Sequence, residues 1–472
     1  MKLTLALYGE NISWEKQWVY LGKSYLKLKS VEKKLSGRRI KIDKYLHQVY
    51  QKELKNYLEW IENQRIKNND SIYWWMSTLG SRNNTDSNFF LSICQILSLD
   101  KILNDSEEEE VLIICEDIIL FQTIINNFKK HKIRKNNLIQ LKVLKFFIFD
   151  YIKILKNTTI AIIDLIINLF CSKITLKEKK IPEKDIYLMH QFMSKDSLKD
   201  KNLKSRYFPY LKEFFVRENK NLYCLTWFNP FWSGKIKAFN NLRSEKHFIP
   251  EDWLSFYDYI IIVRSFFKSA KYFDTKYMYT GLNLNHLILN EKRNYLKKIN
   301  SILRFWSYIP SIKKWSKNCD SLTCIDHYEN MIYEHALIGA IKNTNKKKKI
   351  LGYHHTLASR EFVPWHSLKS EWNSKFKPDY IISLGLVSKN MLITQGIPQE
   401  KIINGPALRY NEILLKKNKN LANKNNILVT LPPYWEDSLE ILSNILILSR
   451  DLENTKYKIF IKFNPNLNFP KI

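Results

Sequence analysis

The stretch that most constrains the fold of this 472-residue chain runs from Leu322 to Thr356. A short apolar run is followed by a polar cluster, a segment with helical spacing and a lysine-rich turn. A second apolar run then ends in Gly352-Tyr353-His354-His355-Thr356. This order of strand, helix and strand is a βαβ unit, which predicts an α/β fold with a parallel sheet. Ligands of open parallel sheets bind outside the carboxyl ends of the strands. The polar residues after both strands are therefore expected to open onto one crevice.

The helix of this unit carries a carboxylate on its apolar face. Glu334 falls near the middle of the stripe formed by Met331, Leu337, Ile338 and Ile341. A carboxylate that faces the sheet must be paired or hydrogen-bonded, because burying it alone is very costly. The nearby histidines offer a partner, and a histidine supported by Glu334 would act as a general base on a hydroxyl. The alternatives are a bond to a neighbouring backbone group or a place at the helix edge, and we favour the site.

The same residues resemble the motifs of a bacterial family of surface-carbohydrate biosynthesis proteins. The family pattern is roughly Tyr-Glu-Asn, then an aromatic residue and Glu, then Gly-Tyr-Gln-His. This chain has Tyr328-Glu329-Asn330, then Tyr333 and Glu334, then Gly352-Tyr353-His354-His355. His354 stands where glutamine is more usual, which leaves open which histidine is functional. We favour His355, because it aligns with the family histidine.

The resemblance implies a fold and an activity, because the family is similar to glycosyltransferases with two Rossmann-like domains (GT-B). It implies inverting, metal-independent transfer of a sugar from a nucleotide-sugar to a glycan or lipid-linked acceptor in the assembly of bacterial polysaccharide or lipopolysaccharide (O-antigen). No cofactor is implied beyond the nucleotide-sugar substrate. His355 would be the base and Glu334 its supporting carboxylate. The expected substrate-binding residues are Glu329, Asn330, His354, Thr356 and Arg82.

Arg82 belongs to a second stretch that resembles the family, in which Trp74-Trp75 is followed by Ser81, Arg82 and Asn83. Aromatic rings beside an arginine can stack on a sugar or hold an anionic group. The alternative is that the tryptophans are core residues and that Arg82 caps a helix. We favour the core for Trp74 and Trp75, because large aromatic side chains are mostly buried. The role of Arg82 stays open.

The order of predicted elements divides the chain into three parts. Residues 1–410 are expected to form an acceptor-side Rossmann-like domain with helical insertions, and the Lys- and Asn-rich residues 411–426 a linker. Residues 427–472 are predicted to be the start of a truncated donor-side Rossmann-like domain. In GT-B-like enzymes that domain makes most contacts with the nucleotide-sugar. A non-catalytic or truncated member that binds a glycan acceptor is therefore the main alternative.

Residues 141–174 are rich in Phe, Ile and Leu with interspersed lysines. Because no window of about 20 residues is free of charge, a membrane-spanning helix is not expected. Two interpretations remain, and the sequence does not decide between them. One is an amphipathic hairpin on a membrane surface, and the other is a helical pair packed on the protein's own core.

The amino-acid composition limits which binding partners and which cellular compartment are expected. The net charge is +30, but the basic residues are spread along the chain without a nucleic-acid-binding motif. Attraction to an anionic membrane surface explains the charge better than binding of nucleic acid does. A basic membrane- or nucleic-acid-binding protein is a further alternative that rests on charge alone. The chain has 11 glycines and no glycine-rich phosphate loop. Its six scattered cysteines predict reduced core residues in a cytoplasmic protein. The basic charge adds the expectation of a peripheral position on the inner face of the cytoplasmic membrane.

Overall fold

The computed structural model describes most of the chain. Its described residues are 2–106, 108–134, 139–176, 178–179, 181–182, 184–194, 197–198, 203, 205–227, 234–273, 277–357, 360–410, 425–452 and 455–464. Residues 411–424 of the expected linker lie outside these ranges.

The strands are short and almost all parallel. They are β1 (Lys2–Leu7), β2 (Trp18–Leu21), β3 (Glu110–Cys115), β4 (Lys132–Arg134), β5 (Lys184–Phe192), β6 (Leu222–Trp227), β7 (His247–Phe248), β8 (Met278–Tyr279), β9 (Leu282–Asn283), β10 (Cys319–His327), β11 (Lys347–Tyr353), β12 (Tyr380–Ser383), β13 (Ile402–Asn404), β14 (Asn426–Thr430) and β15 (Lys458–Lys462). Only β8 and β9 pair in antiparallel fashion within the described part of the chain.

Helices connect the strands and cover the sheets. They are α1 (Tyr25–Glu32), α2 (Asp43–Lys67), α3 (Ile72–Trp75), α4 (Thr78–Ser81), α5 (Phe89–Asp105), α6 (Ile118–Asn127), α7 (Ile139–Thr175), α8 (Leu211–Arg217), α9 (Lys235–Arg243), α10 (Phe256–Ala270), α11 (Asn285–Lys297), α12 (Ile299–Trp306), α13 (Tyr308–Trp315), α14 (Ile332–Lys342), α15 (Leu386–Thr394) and α16 (Trp435–Asp451). Short 3₁₀ turns occur at Pro250–Trp253, Lys271–Phe273, Ser316–Asn318, Val363–Trp365, Lys369–Asn373, Gln399–Lys401 and Leu408–Tyr410.

One compact unit comprises residues 1–50, 94–143 and 414–472. Its four-stranded parallel sheet has the order β2-β3-β1-β4, and β14 and β15 form a separate parallel pair. The described residues from 426 to 462 form strand β14, helix α16 and strand β15 in that order. The C-terminal helix α16 packs on α1, where the hydroxyls of Tyr25 and Ser443 are 3.1 Å apart.

The second unit comprises residues 51–93 and 144–413. It contains a seven-stranded parallel sheet in the order β13-β12-β11-β10-β5-β6-β7. The predicted βαβ unit is confirmed as β10, α14 and β11, with parallel register from Ser321 opposite Lys347 to His327 opposite Tyr353. An open parallel sheet between helices is an α/β fold, compatible with a Rossmann-like arrangement. The expected fold class is therefore confirmed at that level.

The two units cut across the expected division into residues 1–410, 411–426 and 427–472. The chain leaves the first sheet through α2, returns to it through α5, and leaves it again through α7. Such a discontinuous unit cannot be seen from composition, because no linker-like stretch marks these crossings. The expected domain boundaries stay a prediction.

Residues 141–174 differ from both interpretations of the sequence. They belong to α7, which is one uninterrupted helix of 37 residues and neither a hairpin nor a pair. The stretch lacks proline and glycine, so nothing in it ends a helix. The core expectations are confirmed, since Trp74, Trp75 and all six cysteines are buried.

Candidate active site

Three neighbouring strands of the seven-stranded sheet lead into polar residues. His190 lies near the end of β5, Asp326 and His327 end β10, and His354 and His355 follow β11. These strands are adjacent in the order β11-β10-β5 and run parallel, so their carboxyl ends meet at one edge. The polar residues at this edge therefore come from β5 in addition to β10 and β11.

His355 pairs with Glu329 at this edge. The distance from His355 Nε2 to Glu329 Oε1 is 2.9 Å. The histidine is buried, whereas the Glu329 side chain retains 27% of its exposure. Burial alone would raise the pKa of the Glu329 carboxyl, but its close contact with His355 outweighs burial and lowers that pKa. Neither ring nitrogen of His355 has a well-aligned hydrogen bond among the described residues, so the 2.9 Å approach is a contact between ionisable groups.

A buried cluster of His190, Asp326 and His327 lies beneath this pair. His190 Nδ1 is 2.8 Å from Asp326 Oδ1, and His327 Nδ1 is 3.5 Å from the same oxygen. Burial lowers the pKa of His327 to about 4, so this imidazole is neutral at neutral pH. His190 Nε2 and Asp326 Oδ2 are buried without hydrogen-bond partners among the described residues. The cluster can therefore orient and polarise a neighbouring group from inside the fold.

The same three residues are the candidate metal ligands. One ligand atom from each lies within 4.8 Å of the other two. In a tetrahedral zinc site, bonds of about 2.1 Å place ligand atoms about 3.4 Å apart. The contacts of Asp326 Oδ1 with His190 Nδ1 and His327 Nδ1 are 2.8 and 3.5 Å, and the shorter one is an ordinary hydrogen bond. The described geometry is that of a hydrogen-bonded cluster, and the expectation of metal-independent chemistry stays a prediction.

Two tyrosines enclose the histidines. The Tyr207 ring stacks on His327 with centroids 4.8 Å apart and lies 4.4 Å from the His355 ring. Tyr333 stacks on His327 from α14, at 5.5 Å. The Arg409 guanidinium lies 5.8 Å from the Tyr207 ring. The half-buried Tyr207, Glu329 and Arg409 thus surround the point where the histidine cluster reaches solvent.

Glu334 is buried as predicted, but its partner differs from the one we favoured. Its carboxylate accepts hydrogen bonds from the backbone N–H groups of Glu329 and Met331, at 2.7 and 2.9 Å. It therefore caps the start of α14, and the described contacts include none between Glu334 and His355. Burial, together with the charges of Asp326 and Glu329, raises the pKa of Glu334 well above its ordinary value. The interpretation that Glu334 bonds the backbone is the one the structure bears out.

Asn330 and Arg82 belong to a buried polar network. Asn330 has φ 64°, a left-handed conformation that asparagine tolerates. Its Oδ1 accepts from the Tyr328 hydroxyl at 3.0 Å and from Lys377 Nζ at 2.8 Å. Arg82 Nη1 donates to Glu371 at 2.7 Å, and Lys377 Nζ lies 3.4 Å from the same carboxylate. The network positions the Tyr-Glu-Asn turn, and neither Asn330 nor Arg82 faces the solvent.

His354 and Thr356 lie apart from the histidine cluster. The His354 ring packs on Trp365 with centroids 3.8 Å apart, and its Nδ1 is 2.9 Å from the Ser388 hydroxyl. Burial lowers the pKa of His354 to about 3. Thr356 is half-buried, and no bond joins it to the cluster in the described structure. Of the two adjacent histidines, His355 is the one that reaches Glu329.

Gly352 determines how closely the strand and the turn approach. A Cβ on this residue would lie 2.8 Å from Ile381 Cδ1 and 2.9 Å from Tyr328 Cβ. Glycine thus lets Tyr328 pack directly against β11, which places Glu329 beside His355.

Five residues around His355 are not among the site residues predicted from the sequence: His190, Tyr207, Asp326, His327 and Arg409. His190 directly follows the apolar run Ile186-Tyr187-Leu188-Met189, which is a strand signal that places it near a strand end. Comparison with protein-family models and with curated proteins finds no match to this chain. Its function is therefore inferred from the chemistry of its own residues.

Proposed function

We propose that this chain is a GT-B-like glycosyltransferase of bacterial surface-polysaccharide or lipopolysaccharide assembly. It would transfer a sugar from a nucleotide-sugar to a glycan or lipid-linked acceptor. The observation that carries the proposal is the His355–Glu329 pair at the carboxyl ends of the central parallel strands. The motifs that resemble the surface-carbohydrate family supply this pair, since Glu329 belongs to Tyr-Glu-Asn and His355 ends Gly-Tyr-His-His.

In this proposal, His355 is the general base. Glu329, 2.9 Å from Nε2, orients the imidazole, and a ring nitrogen of His355 takes the proton of the acceptor hydroxyl. The hydroxyl oxygen forms a bond to the anomeric carbon as the bond from that carbon to the phosphate oxygen breaks. Glu329 then stabilises the imidazolium. Glu329, and not Glu334, is then the carboxylate that supports the histidine base. Glu334 stabilises the turn through its hydrogen bonds to the backbone.

Arg409 is the group best suited to an anionic part of the substrate. It lies near the same opening, and the described residues include no carboxylate paired with it. A guanidinium presents a planar set of donors that matches phosphate. We assign it to the phosphate groups of the nucleotide-sugar, and Tyr207 to stacking on a sugar ring.

A non-catalytic, glycan-binding protein of the same kind is the second candidate. The observation that favours it is the burial of the cluster, because His190, Asp326, His327 and His355 all have 3% exposure or less. The Tyr207 ring, 4.4 Å from the His355 ring, adds to this burial. No specific observation favours nucleic acid.

Thermal unfolding with a panel of nucleotide diphosphates and nucleotide-sugars tests the proposal first. A ligand that binds only the folded state must raise the apparent stability. A stabilising nucleotide-sugar would then be used in a transfer assay with glycan and lipid-linked acceptors. We expect His355→Ala to lower the rate about 100-fold or more.

His286→Gln is the matched control, because His286 is a half-buried histidine of the same unit outside the cluster. Its rate should equal that of the unsubstituted chain. Binding of a nucleotide-sugar without transfer, unchanged in His355→Ala, would favour the glycan-binding alternative. No response to any nucleotide would remove the enzymatic proposal for this chain.

A further inference from the structure

One face of α7 packs on the seven-stranded unit. Between residues 144 and 175 its buried positions recur at helical spacing: Asp150, Ala161, Asp164, Asn168, Cys171, Ser172 and Thr175. Asp164 and Asn168 both bond Lys235, which begins α9, and Ser172 bonds Asp252. The helix is therefore fixed to the fold along much of its length.

The opposite face of α7 is apolar and exposed. Phe149, Leu155 and Ile166 keep 69%, 68% and 61% of their exposure. The neighbouring helix α10 continues this surface with Phe256 at 78% and Ile260 at 52%. A cavity of about 320 Å³ between the two helices is lined by four side chains from each, all aliphatic or aromatic. Neighbouring exposed apolar side chains on two adjacent helices form the kind of surface that docks a partner or a membrane.

The charges on these two helices are sorted by sign. In α10 and residues 144–175 of α7, each acidic residue is buried and paired: Asp150 with Arg293 and Lys297, Asp164 with Lys235, and Asp258 with Lys314. The exposed charged residues are all basic: Lys145, Lys153, Lys156, Lys173, Arg264 and Lys268. The surface thus offers apolar contact and positive charge together.

This helix is long and apolar enough to cross a membrane, but only 28% of its most apolar window is buried. A core helix of a soluble protein would be mostly buried. A spanning helix would have to take its packed face, with the ion pairs of Asp150 and Asp164, away from the unit to which they hold it. A helix that lies in the membrane interface keeps that face on the protein and inserts the other.

We propose that the exposed faces of α7 and α10, the α7–α10 surface, bind an anionic membrane with both helices in the plane of the interface. Apolar side chains would enter the acyl boundary, while the lysines and arginine contact anionic head groups. A second copy of this chain fits poorly, because two such faces would bring only like charges together. The inference does not rest on the proposed function, since it would hold for a glycan-binding protein as well.

Vesicle flotation tests the surface directly. The purified chain would be mixed with vesicles of phosphatidylcholine alone, or of phosphatidylcholine with phosphatidylglycerol. We expect binding to the anionic vesicles that is stronger by at least tenfold and weakened by salt. Lys153→Gln/Lys156→Gln should lower the affinity for anionic vesicles by about fivefold per lysine. Leu155→Gln/Ile166→Gln/Ile260→Gln should abolish the part of the binding that survives high salt.

Matched controls separate this surface from general basicity. Lys317→Gln/Lys347→Gln removes the same charge from exposed lysines near the amino ends of β10 and β11. Leu289→Gln/Leu386→Gln/Val387→Gln removes exposed apolar side chains elsewhere on the same unit. Both controls should bind vesicles like the unsubstituted chain, and circular dichroism would show that every variant is folded.

Three outcomes would overturn the proposal. They are absence of binding to anionic vesicles, equal losses in the controls, and a dimer by light scattering that the triple glutamine variant converts to a monomer. The last result would assign the α7–α10 surface to self-association.

Discussion

The carboxylate that contacts His355 is that of Glu329, at 2.9 Å, and not that of Glu334 five residues later. The two glutamates have different contacts in the turn between β10 and α14. Glu334 accepts the backbone N–H of Glu329 at 2.7 Å and so holds it in place, while the Glu329 side chain points to the histidine. One glutamate is a structural cap, and the other is the candidate chemical partner.

Glu329→Gln tests this division through activity. We expect the transfer rate to fall about 10- to 100-fold, because the amide cannot stabilise an imidazolium. The pKa of Glu329 lies below its ordinary value, so the carboxylate stays ionised through neutral pH. The loss should therefore be present at neutral pH, where the ionised carboxylate faces the imidazole. Initial rates at neutral pH measure it, and an equal rate in the variant would exclude Glu329 from the reaction.

Glu334→Gln tests the cap through stability. The raised pKa of Glu334 means that the folded state binds this proton more tightly than the unfolded state. The contribution of Glu334 is then complete at low pH and decreases as pH rises above the ordinary glutamate value. We expect the glutamine variant to be destabilised by about 1 kcal/mol at low pH and by less at neutral pH. Urea unfolding at a series of pH values measures this, and a loss that grows with pH would contradict the assignment.

Asn330→Ala and Asn330→Gly form a matched pair. Both variants remove the bonds to Tyr328 and Lys377, but only glycine adopts the left-handed φ of 64° without steric cost. We expect alanine to lower the free energy of unfolding by about 0.5–1 kcal/mol more than glycine does. Denaturant unfolding compares the two variants. If they are equal, the backbone conformation of this turn contributes nothing.

Glu371→Gln tests the network that holds the turn from the other side. The pKa of Glu371 is about 2: burial would raise it, but the charges of Arg82 and Lys377 lower it more strongly. Its stabilisation is therefore complete above about pH 4.5 and is lost as pH falls toward 2. We expect the variant to lose about 3–5 kcal/mol of unfolding free energy at neutral pH, because it leaves two buried cations without a counter-charge.

The acid dependence provides the control for this variant. The stability difference between the unsubstituted chain and Glu371→Gln should shrink between about pH 4.5 and pH 2. Glu361→Gln, an exposed glutamate in the same part of the chain, should change the free energy of unfolding by about 0.5 kcal/mol or less. A pH-independent difference for Glu371→Gln would mean that its charge is not what stabilises the fold.

The βαβ unit and the polar residues at its strand ends are predictable because apolar runs and the polar residues that follow them are local signals. The burial of Glu334 was equally local, since it follows from the position of the residue on the helix stripe. Its partner was not, although one signal was present. Glu334 lies three residues after Met331, the N-cap of α14. A glutamate at this position often accepts a hydrogen bond from the backbone N–H of the N-cap residue.

Contacts between distant segments explain what the sequence did not reveal. His190 meets Asp326 only because β5 pairs with β10, and the register of those strands is set across 136 residues. Arg82 looked available for a substrate because its partner, Glu371, lies 289 positions away. Local patterns predicted which residues are polar and near a strand end, whereas pairing across the sheet decided which of them touch.

Asp150 and Asp164 pin α7 to the protein at two points that are fourteen residues, or about 21 Å, apart. Because α7 is attached at two separated points, it cannot rotate or tilt unless the rest of the second unit moves with it. If α7 rests on a bilayer, the seven-stranded sheet must take a fixed inclination to that bilayer. The distance from His355 to the lipid head groups would then be constant.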